Sequence, residues 1–197
     1  LKYEAMCEYA SLDEEALEEM RSAGYYKIRF GIETGSDKVA EKMTLGKKHD
    51  LDKLRAMVKF GKSLGMLFYG TISIGGLGSN QEEDQKTVDL VYEMASKGWL
   101  DEVQVSINTP QPGTDFYNSC MEESLISTST NWEGFDGNGQ VVVHYPHYPA
   151  EEIQANLILR IKAKKPVFEG LLGYEDTVVP QMKKAILAGH HINLLGL

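Results

Sequence analysis

Strand-type and helix-type segments alternate along the first half of the chain, and this alternation narrows the fold more than any other feature. Residues 3–9, 27–32, 67–74 and 102–108 are short, apolar or alternating stretches rich in aromatic and β-branched residues, the pattern of strands. Ser11-Leu12-Asp13-Glu14 reads as a capping box ahead of a helix over residues 14–23, which Gly24 stops. Ser36-Asp37 opens a short helix through Met43, and after a Gly- and Lys-rich loop Asp50 caps a helix over residues 51–64. There Leu51, Leu54, Val58 and Leu64 fall near one face. A long helix over residues 81–97 carries Val88, Leu90, Val91, Met94 and Ala95. Strands separated by helices of this length form βαβ units in a parallel sheet with right-handed crossovers. An open doubly wound sheet and half of a TIM-type (βα) barrel both fit this count. In either, the loops at the strands' carboxyl ends carry the chemistry, and these begin at Glu8, Glu33, Gly75 and Asn108.

After Pro110-Gln111-Pro112-Gly113-Thr114 the pattern changes. A short helix over residues 115–123 precedes a polar stretch, 124–140, too rich in Ser, Thr, Asn and Gly to pack. Strand-like Val141-Val142-Val143 follows, then helices over residues 150–164 and 176–188. The expected architecture is α/β: parallel (βα) units forming half of a partial TIM-type barrel at residues 1–124, with a carboxyl-terminal helical extension at 125–197. The opening inside a strand, without Met, reads as a piece of a longer polypeptide. The first strand is then an edge at which the chain would self-associate, unless its own tail covers it.

Among 197 residues, 20 Lys and Arg face 29 Asp and Glu, a net charge of −9 that argues against nucleic acid as main ligand. No apolar run approaches the roughly 20 residues that span a bilayer, so no membrane partner is expected. Two cysteines, Cys7 and Cys120, make no disulfide framework and read as thiols of a reducing cytoplasm. Gly61-Lys62-Ser63 fails as a phosphate loop, since Ala56 stands where the leading glycine belongs. The loop beginning Gly75-Gly76-Leu77-Gly78 fails as a dinucleotide fingerprint, with Gln81 in place of its third glycine. It still lies between a strand and a helix terminus, where amides meet ligands. His144 and His147 flank Pro146, which prevents the helix that would aim both at one metal ion, and His190-His191 read as solvated. Glu33, between Gly31 and Gly35 at a strand end, faces the active end of a parallel sheet; its alternative role is to favour the dipole of the following helix, worth about 0.5 kcal/mol.

Phe30-Gly31-Ile32-Glu33-Thr34-Gly35-Ser36-Asp37 with Glu41-Lys42-Met43 resembles the fourth-strand segment of radical S-adenosylmethionine (SAM) enzymes. Ile72-Ser73-Ile74-Gly75-Gly76-Leu77 with Glu82-Glu83-Asp84 resembles their fifth strand and the turn into its helix, and Thr109 to Thr114 their proline-glycine signature after the sixth. The tail, with Trp132, Tyr145-Pro146 and Ala150-Glu151-Glu152-Ile153, is similar to the branch carrying an upstream cobalamin-binding domain.

The resemblance implies an enzyme, a radical SAM oxidoreductase or methyltransferase-like protein. Such an enzyme cleaves SAM to a 5′-deoxyadenosyl radical that abstracts hydrogen from a small organic substrate. It places Glu8 and Glu33 at the methionyl and ribose parts of SAM, and the backbone around Ile74 and Asn108 along the adenine. Carboxylates suit the cationic sulfonium and amine, and ribose hydroxyls need acceptors. The three-cysteine motif that holds a [4Fe–4S] cluster is absent, so its ligands would lie outside this chain, which alone would be inactive. The turn reads Gly78-Ser79-Asn80 where the family has proline-glycine-glutamate, and Lys47 or Lys48 would substitute for a basic residue expected at Leu45. The rival readings are a tRNA-modifying branch, a TIM-barrel-like aldolase or isomerase with Glu33 as base, and a non-catalytic binding or assembly module.

Overall fold

The computed structural model describes residues 1–45, 49–126, 135, 141–150 and 152–153. Lys47, Lys48, Trp132, His190-His191 and nearly all of the two helices expected after residue 149 lie outside them. The elements run β1 (Tyr3–Met6), α1 (Glu14–Ser22), β2 (Tyr25–Glu33), α2 (Asp37–Lys42), α3 (Leu51–Ser63), β3 (Leu67–Ile74), α4 (Gln81–Ser96), β4 (Glu102–Ile107) and α5 (Asp115–Glu122).

Two local expectations are corrected. The first strand ends at Met6 rather than at residue 9, because the Ser11 amide and hydroxyl both turn back to the Glu8 carbonyl, at 3.1 and 2.7 Å, and coil the chain into a 3-10 turn. With Ser11 so engaged, α1 is capped by Asp13, whose carboxylate accepts from the Ala16 amide at 2.8 Å. Ser36, Asp50, Asn80 and Thr114 cap α2, α3, α4 and α5 in the same way.

The four strands are parallel and lie in the order β1-β2-β3-β4. This order has no reversal, and a doubly wound sheet needs one to place helices on both faces. Here α1, α3 and α4 cover a single face. Ile28, Phe30, Ile32, Phe68 and Ile72 from the strands pack against Leu17, Leu54, Val58, Leu90 and Met94 from the helices in one buried cluster. The fold is therefore the α/β half-barrel kind of the two that the strand count allowed.

The alternate residues of β2, β3 and β4 form the opposite face: Lys27, Arg29, Tyr69, Thr71, Ser73, Glu102, Gln104 and Ser106. A second apolar cluster lies at the carboxyl end of β3, where Ile74 and Leu77 meet Cys120, Leu125, Ile126, Phe135, Val142, Val143, Tyr145, Tyr148 and Ile153. Among the described residues, side chains from both sides of residue 124 meet in this cluster. The strand-like Val142 and Val143 join this cluster rather than the sheet. Leu125, Ile126 and Phe135, inside the stretch read as too polar to pack, are buried in it.

Candidate functional site

Glu33 closes β2 with φ at 65°, in the left-handed region that non-glycine residues seldom occupy. The register to β3 slips between Gly31 and Glu33, so the strand bulges as it delivers this residue to the loop. Such a backbone costs on the order of 1 kcal/mol or more and persists only where its surroundings impose it. The surroundings are visible. The Thr34 amide bonds back to the Ile32 carbonyl at 2.9 Å, Thr34 and Thr87 hydroxyls meet at 3.1 Å, and the Gly35 amide donates to the Thr87 hydroxyl at 2.9 Å. Gly35 is there for clearance, since a Cβ on it would stand 2.5 Å from the Lys86 carbonyl of α4. Ser36 and Asp37 occupy the cap and first turn of α2, and Glu33 stands three residues before that cap.

Glu8 is exposed after β1 and caps the 3-10 turn through its carbonyl. The neighbouring Tyr9 is fully buried, and its hydroxyl accepts the Asp50 amide at 3.0 Å. Burial pushes the Tyr9 phenol up, the Asp50 amide bond pulls it partly back, and the charges of Asp50, Glu8 and Glu33 add to the rise. Glu8 and Glu33, after the adjacent strands β1 and β2, are acids that can hold a cationic group or accept from hydroxyls.

The Ile74 side chain is buried in the second cluster, and its carbonyl accepts the Asn108 amide at 2.8 Å. The Asn108 side chain is half-buried against Gly76, where a Cβ would meet Asn108 Nδ2 at 3.0 Å and Met43 Sδ at 3.1 Å. A side chain at Gly76 would thus press on Asn108 and Met43, which would have to give by a few tenths of an ångström. His147 points its ring Nε2 to the Ser79 carbonyl at 3.2 Å, while the His144 amide pairs with the Leu125 carbonyl at 2.7 Å.

Asp84 and Glu83, which enter the sequence reading only as part of the run Glu82-Glu83-Asp84 and with no role assigned, organise the ends of these loops. Asp84 accepts from the Gly75 amide at 3.0 Å, the Ser79 hydroxyl at 2.9 Å and the Tyr148 hydroxyl. Burial pushes its carboxyl above the usual range, and those donors pull it partly back. Glu83 accepts from the Ser36 hydroxyl at 2.5 Å and from Lys86 at 2.9 Å, and these two hold it below the usual carboxylate range. A signal for one of them exists in the sequence. Glu83 and Thr87 continue the stripe of Leu90 and Met94 toward the helix start, so polar residues occupy buried positions of an amphipathic face.

The inner face is charge-paired. Lys27 and Glu102, both nearly buried, meet at 2.5 Å, and Arg29 pairs with Glu4 at 2.7 Å while lying 5.0 Å over the Tyr69 ring. Tyr69 donates to Gln104 at 2.5 Å, and Ser73 and Ser106 hydroxyls meet at 3.1 Å.

No protein-family model matches the chain. In solved structures the fold is similar to coproporphyrinogen III oxidase of Escherichia coli, described as a radical SAM enzyme, with a TM-score of 0.56 at 13% identity over 82% of this chain and 32% of that one. It is also similar to a radical SAM methyltransferase of Kitasatospora setae, solved with cobalamin and a [4Fe–4S] cluster, with a TM-score of 0.55 at 16% identity over 62% and 23% of the two chains. The chain therefore has the α/β partial-barrel fold of radical SAM enzymes, as its motifs imply. Two curated sequence relatives are methyltransferases by name. One is cytidylyl-2-hydroxyethylphosphonate methyltransferase of Streptomyces wedmorensis, 25% identical over 117 residues. The other is an uncharacterised methyltransferase of Pyrococcus horikoshii, 27% identical over 143 residues. This chain spans 22% and 29% of their lengths. Among the described residues no helix is long and apolar enough to cross a membrane.

Proposed function

We propose that this chain is the SAM- and substrate-facing part of a radical SAM enzyme of methyltransferase type. The observation that carries the reading is Glu33, held in a strained backbone at the end of β2, next to the strand after which Glu8 stands. The methyltransferase relatives and the radical SAM folds support it. SAM fits these residues: Glu33 and Glu8 offer acceptors to its amine and ribose, with the half-buried Asn108 at a neighbouring strand end.

An iron–sulfur cluster does not fit. Cys120 is wholly buried in the second cluster, its thiol pushed up to about 12 by burial, and Cys7 packs against the first cluster with its thiol also raised by burial. Cluster ligands must be thiolates, and among the described residues no three metal-ligating side chains gather. Cleavage of SAM, and any cobalamin, would thus depend on parts of the enzyme outside this chain. Within it, Glu8 and Glu33 bind and orient SAM, and the hydroxyl-lined inner face meets a small organic substrate. In the isolated chain β1 is the sheet edge with Tyr3 and Met6 exposed, the place for pairing with a second copy. The described part of the tail packs at the end of β3 instead of along it.

The test is calorimetric titration of SAM into the full-length enzyme. Glu33→Gln is expected to weaken SAM binding about 10-fold, the loss of one charge-assisted contact of ~1.4 kcal/mol. Unchanged affinity together with a lowered melting temperature would assign Glu33 a structural role only.

A further inference from the structure

One carboxylate holds the β3–α4 turn on two sides. Asp84 Oδ2 takes the Gly75 amide and Oδ1 the Ser79 hydroxyl, so the start and the end of the turn both close onto the first turns of α4. The Tyr148 hydroxyl donates to the same carboxylate. The segment carrying Tyr148 touches the turn at three more points. The Tyr145 hydroxyl donates to the Gly75 carbonyl at 3.3 Å, His147 lies 3.2 Å from the Ser79 carbonyl, and Ile153 stands 3.6 Å from where a Gly75 Cβ would be. Tyr145, Tyr148 and Ile153 are all at most 5% exposed, so the docking is tight. Each polar contact is made to turn backbone or to Asp84, and side-chain changes within the turn would leave the backbone contacts in place.

We propose that Asp84 is a positioning residue that couples the turn at residues 75–79 to the docked segment carrying Tyr145 and Tyr148, so that SAM binding against the turn and docking of the segment stabilise each other. This rests on the SAM reading above. The physical basis is linkage: if the docked segment holds the turn in the shape SAM requires, SAM must by reciprocity hold the segment down. Without the Tyr148 hydroxyl, Asp84 keeps its two turn contacts but loses a buried donor, and the segment opens more often.

The experiment uses the full-length enzyme, with SAM as the probe, in calorimetry and in amide hydrogen exchange at residues 141–150. In the wild type, SAM is expected to slow exchange across this segment. Tyr148→Phe, which keeps the ring and removes the hydroxyl, is expected to weaken SAM about 5-fold and to lessen that protection. Tyr145→Phe should do the same to a smaller extent, and it stands in if Tyr148→Phe fails to fold. Leu17→Ala, in the other core, is the comparison for a general loss of stability and should leave SAM affinity unchanged. Wild-type SAM binding with no effect of either tyrosine variant, or with no slowing of exchange, overturns the coupling alone. A wild type that binds no SAM overturns the functional reading, and the coupling with it.

Discussion

The two faces of the sheet are made from alternate residues of the same strands, yet they are held by different forces. Toward the helices, Ile28, Phe30, Ile32, Phe68 and Ile72 are at most 3% exposed and have nothing to bond with but one another and the helix side chains. Away from them, Lys27, Arg29, Tyr69, Glu102 and Gln104 cover the sheet with ion pairs, a cation over a ring and hydroxyl contacts. A doubly wound sheet would be apolar on both faces. The contrast shows that one face is held by apolar burial and the other by polar side chains that pair with one another.

The largest expected effect tests the packed face. Phe30 lies edge-on between Tyr9, at 6.4 Å, and Phe68, at 6.0 Å, and Phe30→Ala is expected to cost about 3–5 kcal/mol in chemical denaturation. A loss below about 1.5 kcal/mol would mean that the helices do not press on this face.

On the polar face, Lys27→Met alone should cost roughly 3 kcal/mol, because it leaves the Glu102 carboxylate buried without its partner. Adding Glu102→Leu should recover most of that loss, since two well-packed apolar chains replace a desolvated pair at similar stability. If the double variant is no better than the single one, the pair is doing more than neutralising itself.

Between the faces, Ser36→Ala removes the cap of α2 and the donor to Glu83 at once, with an expected loss of about 1–2 kcal/mol. Glu83 is held below its ordinary range, so its contribution is present above that range and fades as pH falls through it toward the lowered native value. Melting temperatures measured across that acid range should fall less steeply in Ser36→Ala. Asp84 behaves oppositely. Its native carboxyl is raised by burial, so the folded state binds the extra proton and stability declines as pH rises from the ordinary Asp range through the raised value. Asp84→Asn should lack that decline, and an unchanged slope would remove Asp84 as its source.

The smallest effect belongs to the exposed pair. Arg29→Ala should cost less than about 1 kcal/mol, shrinking at high salt, because the side chains of Arg29 and Glu4 are 41% and 33% exposed. A larger, salt-independent loss would mean that its stacking on Tyr69 outweighs the ion pair.

The order of elements, most of the caps and the apolar stripe of each helix were legible in the sequence, because periods of 2 and 3.6 and a capping side chain are set within a few residues of where they act. The bounds of β3 and the caps Ser36 and Asp50 are of this kind. What crosses the chain was not. That all three long helices settle on one face depends on strand order, which brings together residues far apart in sequence. Gly35 is a glycine because the Lys86 carbonyl lies where a Cβ would go, and Glu33 takes a left-handed backbone because β2 slips register against β3. Asp84 differs from Glu82 two positions away only in what it faces: three donors from the turn and from residue 148 close on it, and burial with those partners makes one acid in an acidic run a structural hub. Local sequence decides which conformation each segment favours, whereas the burial of a charge and the clearance at a glycine are properties of the neighbours that tertiary packing brings to it.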